Sequence, residues 1–141
     1  MDKKFNFSKL TEDQLVGNRH VRSLVKDNEI FITKGDKGTG SVELFQKVYF
    51  GNNAIKHFNL FNDKEMRIDL YFDQKNSAMM IKERSIGVIK FKYNANTKRI
   101  TCAAFARTLH SRLKTDRFEI VDMGIDNGEK YIIIVPKKVE E

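Results

Sequence analysis

A chain of 141 residues with 40% hydrophobic content, including 11 Phe and 4 Tyr, has the material for one core and the size of one domain. No apolar run nears the roughly 20 residues of a bilayer span, and Met1-Asp2-Lys3-Lys4-Phe5 is no apolar leader, so a cytoplasmic protein is expected. The net charge of +7 points towards polyanionic partners, and the lone Cys102 excludes an internal disulfide framework or a Cys-based zinc cluster.

Residues 1–28 read as an arm, polar and weakly patterned. Thr11-Glu12-Asp13-Gln14 fits a capping box and predicts a short helix to about Val16, ended by Gly17-Asn18. From Glu29 the texture changes. Residues 30–33 read as a strand, 34–41 as a flexible turn with Gly35, Gly38 and Gly40, and 42–50 as a second strand. A short helix is expected over 52–61, capped by Asn52 or Asn53, with Ile55, Phe58 and Phe61 on its buried side. Residues 66–73 alternate as a strand with Ile68, Leu70 and Phe72 on one face; 74–76 turn the chain back into 77–83.

The same order then recurs. Residues 86–93 form a strand with Val88, Lys90 and Lys92 on one face and Ile89, Phe91 and Tyr93 on the other. After the turn at 94–97, residues 98–102 return and 103–113 form a helix whose Phe105, Leu109 and Leu113 make one apolar stripe. A hairpin follows, 117–125 and 130–135, joined by Asp126-Asn127-Gly128-Glu129 and closed by Pro136. The fold class is therefore α+β: mainly antiparallel β hairpins with one short helix per half, at an offset of about 50 residues. In that alignment Tyr49-Phe50-Gly51-Asn52 lies over Ile100-Thr101-Cys102-Ala103, Phe58 over Leu109, and Arg67-Ile68-Asp69-Leu70 over Arg117-Phe118-Glu119-Ile120. The expected organisation is one domain of two repeats, 29–84 and 85–138, closing as a pseudo-two-fold barrel.

Charge distinguishes the halves. Between Ile86 and Arg117 stand Lys90, Lys92, Lys98, Arg99, Arg107, Arg112, Lys114 and Arg117 against Asp116 alone, while the other charges cancel, 18 basic to 18 acidic. The whole excess lies in 32 residues. Such a segment attracts polyanions and speeds encounter with them. On the helix, Arg107, His110 and Lys114 fall opposite the apolar stripe; Lys98 and Arg99 precede it, and Lys90 and Lys92 lie on the adjoining strand. These seven residues form the candidate nucleic-acid surface, able to neutralise phosphates and to reach base edges.

Lys98-Arg99-Ile100-Thr101, the helix from Ala104 to Leu113, then 117–120 and Tyr131-Ile132-Ile133-Ile134 resemble the AbrB/SpoVT family of small DNA-binding domains. That family runs strand, turn, strand, short basic helix, closing hairpin. The resemblance covers about residues 88–135 closely and 30–83 loosely. It departs at the strand-to-helix junction, where Cys102-Ala103 replaces the family's Pro, and at the longer, glycine-rich loop 35–40. The resemblance implies DNA binding and two units interleaving their hairpins in one barrel, here as a fused pseudo-dimer of the family's usual homodimer.

Other chemistry is sparse. The glycines at 35–40 join two strands and lack the Gly-Lys-Ser/Thr ending of a phosphate loop, although Lys34 and Lys37 at that tip could touch a phosphate. His20, His57 and His110 are scattered without metal-ligand spacing, and the last two are expected to face solvent. Cys102, at a helix start, has no positioned base. Asp69, Asp73, Glu119 and Asp122 read as outward strand positions with no acid–base pair. The expectation is a non-enzymatic DNA-binding protein without cofactor or metal, a transcription regulator or a phage or mobile-element protein. The alternative is a protein-binding inhibitor module, acting against a host or defence factor. Monomer and homodimer both stay open.

Overall fold

The computed structural model describes residues 8–9, 26–34 and 44–137; the expected helix at 11–16 and the glycine-rich turn beyond Lys34 lie outside them. Strand β1 (Glu29–Lys34) and strand β2 (Phe45–Phe50) are followed by helix α1 (Asn52–His57), then β3 (Lys64–Asp73) and β4 (Ala78–Glu83). The second half holds β5 (Ile89–Asn94), β6 (Arg99–Thr101), α2 (Ala103–Leu113), β7 (Arg117–Asp126) and β8 (Glu129–Pro136). All eight strands pair antiparallel in one closed barrel of order β1-β2-β6-β5-β3-β4-β8-β7. Exchanging β1–β4 for β5–β8 returns the same circular order, so the strand topology has two-fold symmetry. In this arrangement the β3–β4 hairpin pairs with β5 and β8, while β7–β8 pairs with β1 and β4. Each half lends its second hairpin to the other.

Period-two alternation decides what lies inside. Ile30 and Ile32, Val48 and Phe50, Phe91 and Tyr93, and Ile132 and Ile134 are buried and point inward, as the sequence pattern requires. The helices bring their apolar stripes to the same core. Phe105 of α2 stacks on Phe91 with centroids 5.5 Å apart, and Phe50 lies between Phe58 of the first half and Phe105 of the second. Each large apolar side chain fully buried in this way contributes on the order of 2 kcal/mol. The hairpin turn at Asn127 and Gly128 has positive φ at both positions, 52° and 77°, the geometry that matches strand twist in a two-residue loop.

The expected helix 103–113 matches α2, whereas three other expectations need correction. Helix α1 ends at His57, and Phe61, expected on its buried face, is 60% exposed beyond the helix end. Its N-cap is Gly51 rather than Asn52 or Asn53, because there the chain runs against the carbonyls of Lys26, Asp27 and Glu29 and a Cβ would collide with them. Strand β5 begins at Ile89, not at 86. Residues 84–88 instead cross outside the sheet, held by Arg84 N–H to Arg67 O and by Arg67 Nη1 to Gly87 O. The β2–β6 ladder sets Val48 opposite Ile100, and the two helices that follow are N-capped by Gly51 and Cys102, residues that the sequence alignment laid together.

Candidate nucleic-acid interface

The seven candidate residues separate into three groups, because strand phase and turn geometry send them to different places. Arg99 points outward from β6, since its neighbour Ile100 is buried. The register sets Arg99 opposite Tyr49 on β2, and its Nη1 donates to the Tyr49 hydroxyl at 3.4 Å. Tyr49 stacks on Phe31 of β1 with centroids 4.7 Å apart and planes 8° from parallel. On the other side of Phe31, the Arg117 guanidinium lies 5.1 Å from its ring centroid. A layered row, Arg117–Phe31–Tyr49–Arg99, therefore crosses four strands of the outer wall. Phe31 is only 7% exposed although it points away from the core, because its neighbours cover both ring faces.

On α2, Arg107 and His110 project together. Arg107 Nε donates to the Phe45 carbonyl at 3.2 Å, and the His110 ring packs on the Phe45 ring at 4.4 Å. Lys34 approaches the same ring, its Nζ 5.6 Å from the centroid. Lys114 ends the helix in the left-handed region (φ 61°) and is exposed. The other three candidates stand elsewhere. Lys90 and Lys92 lie on the outer face of β5 opposite Arg67 and Glu65 of β3, and Lys90 is paired with Glu65 at 3.3 Å. Lys98, in the β5–β6 turn with φ 56°, lines a cleft with Lys56 of α1. The side chains Phe31, Phe45 and Tyr49, together with Arg117, complete the surface and were not among the seven candidates, whereas Lys34 beside them is the turn lysine that the sequence offered as a phosphate contact. Their signal was present for Phe31 and Tyr49, aromatic residues in the outward phase of strands whose other phase is core.

The wall across the barrel, around β4 and β8, treats its cations differently. Arg84 Nε forms a two-pronged pair with Glu129 (3.2 and 3.1 Å) and its Nη1 reaches Asp69 at 3.0 Å. Lys82 pairs with Asp126 at 3.1 Å. The Glu129 and Asp69 contacts hold the Arg84 pKa above its ordinary value, and the Asp126 hydrogen bond raises that of Lys82. Asp69 thus spends its charge on Arg84 and its second oxygen on Val88 N–H, rather than facing water freely. His57, expected to face solvent, is half-buried with Nε2 3.0 Å from Gly124 O, an acceptor that makes it a donor. Cys102 precedes α2 and is a half-buried free thiol. Among the described residues no group of three or more His, Cys, Asp or Glu is placed to hold a metal ion, and no helix is long and apolar enough to cross a membrane.

No family model matches the chain, and no curated protein and no solved structure is significantly similar to it.

Proposed function

We propose that the chain is a small cytoplasmic DNA-binding protein that grips duplex DNA with α2 and the adjoining β2–β6 surface. One observation carries the reading. Arg99, Arg107 and Lys114 meet no carboxylate among the described residues, whereas Lys82 and Arg84 on the far wall are tied to Asp69, Asp126 and Glu129. Among the described residues, three cations without a carboxylate beside α2 and β6, against neutralised cations on the far wall, favour a positive side, and phosphate neutralisation with counterion release is the main source of sequence-independent affinity. Helix α2, 11 residues and about 16 Å long, is also of a size to lie along a groove. The resemblance to the AbrB/SpoVT domains points the same way, since their interleaved hairpins have a parallel in the exchange of β3–β4 and β7–β8.

The test is a mobility-shift titration with duplex and single-stranded DNA across a range of salt. The triple variant Arg99→Ala, Arg107→Ala, Lys114→Ala is expected to bind duplex at least about 100-fold more weakly, with a log–log salt slope smaller by about 3, near 0.9 per lost phosphate contact. Lys75→Ala, in the β3–β4 turn, is expected to bind as the native protein does. Absence of native binding to either strand form at low salt overturns the reading.

A second reading, the protein-binding inhibitor module, draws on a different surface. Across β3, β4 and β8 the outward residues Tyr71, Met80 and Ile133 are register neighbours, with Tyr71 45% exposed, and Val121 on β7 is exposed as well. An apolar strip of this kind suits a protein partner. Complex formation there is insensitive to salt and lost in Tyr71→Glu, while duplex binding in that variant stays intact.

A further inference from the structure

A cleft of about 220 Å³ opens between α1, the segment after it and the β5–β6 turn. Its polar and apolar groups come from both halves of the chain. Lys56 of α1 and Lys98 of the turn both line it, and neither forms an ion pair with a carboxylate among the described residues. Asp63 accepts the Ala95 N–H of this turn at 2.9 Å. Two like charges sharing one cleft repel each other, and an anion between them turns that cost into attraction. Phe61 also lines it and is 60% exposed, a large ring left uncovered in the structure. Tyr93 forms another part of the wall and is 1% exposed; its hydroxyl is the one buried side-chain polar atom among the described residues without a hydrogen-bond partner. Buried polar groups are nearly always satisfied, so an orphan at a cleft wall marks a place where a partner belongs.

We propose that this cleft binds a single nucleotide, free or at the 5′-phosphorylated end of a strand, with its phosphate between Lys56 and Lys98 and its base against Phe61. The cleft, about 220 Å³ and open to solvent, has room for one base with its phosphate at the mouth. Base stacking on an exposed aromatic ring tolerates any base, so the site selects for a nucleotide rather than for a sequence. Burial pushes the Tyr93 pKa up to about 12; the phenol is protonated at neutral pH with or without that shift, and its hydroxyl is left to donate to the base edge. The inference does not depend on duplex binding by α2, from which it differs in both residues and ligand.

Titration of the isotope-labelled full chain with dTMP, followed by amide chemical shifts, tests it. Saturable shifts at Lys56, Phe61, Ala95 and Lys98 are expected at millimolar nucleotide or below. Phe61→Ala and Lys56→Ala, both at exposed positions, are each expected to weaken dTMP about tenfold. Tyr93→Phe removes only the orphan hydroxyl, so the fold should persist with an unchanged or raised Tm while dTMP affinity falls. Inorganic phosphate alone and 5′-phosphorylated against 5′-hydroxyl oligonucleotides separate a free nucleotide from a strand end. Absence of shifts at these amides overturns the proposal, as does phosphate binding as tightly as dTMP with no effect of Phe61→Ala. The triple variant of Arg99, Arg107 and Lys114 should retain dTMP binding, so failure of the duplex reading and failure of this one are distinguishable.

Discussion

Glu29 is a carboxylate only 4% exposed on β1, held between Arg117 at 3.3 Å and the ammonium of Lys137. Burial alone would raise its pKa. The hydrogen bonds and charges of Lys137 and Arg117 together outweigh burial and hold it below the ordinary carboxylate value. The unfolded chain therefore binds this proton more readily than the folded one. The stabilisation is complete above the unfolded carboxylate pKa and is lost as pH falls through the lower folded value. Glu29→Gln is expected to cost about 2 kcal/mol at pH 7, a figure reduced because both cations are partly exposed. In urea unfolding at a series of pH values, the difference between native and variant should shrink towards zero in acid; a difference independent of pH would contradict the assignment. None of this was legible in the sequence. Glu29 reads there as the polar edge of a strand, and its partners lie 88 and 108 positions away.

At the scale of elements, α2 was the most legible part of the chain. Its apolar residues recur at Phe105, Leu109 and Leu113, all buried, so one stripe sets both its limits and its orientation. Its end carries a conflict between stability and charge. Lys114 adopts φ 61°, which costs a residue with a Cβ about 1 kcal/mol relative to glycine, while its ammonium belongs to the proposed DNA surface. Lys114→Gly is expected to raise unfolding stability by about 1 kcal/mol and to weaken duplex binding, with a salt slope smaller by about 1. Thermal melts and mobility shifts on the one variant read both effects. Strand limits were less legible than the helix. Residues 86–88 read as the start of β5, yet the strand begins at Ile89, because the 84–88 crossing is fixed by Arg84, Asp69 and Arg67 rather than by strand pairing.

For the whole molecule, the decisive feature is how the two halves share the barrel. Of its eight strand pairings, four join strands within one half (β1–β2, β3–β4, β5–β6 and β7–β8) and four cross between halves. A fragment of residues 1–84 retains only two hairpins of the barrel, and isolated hairpins are at best marginally stable in water. The fragment is expected to lack a cooperative monomeric fold and to become compact only by pairing with a second copy of itself. Light scattering with chromatography and thermal circular dichroism check this, and a monomer with a sharp transition would contradict it.

The sequence by itself determined the local periodicities: alternating strands, the stripe of α2, the Asn127-Gly128 turn, and the confinement of the excess charge to residues 86–117. Those follow from each residue's neighbours along the chain. Only the tertiary structure decided that the basic residues separate into three places, that Phe31 and Tyr49 join Arg99 and Arg117 in one row, and that Lys56 and Lys98 meet at a cleft beside an orphan hydroxyl. Period two fixes which face a side chain takes, but not which strand lies beside it. In a barrel closed by exchanged hairpins, those neighbours come from the other half of the chain.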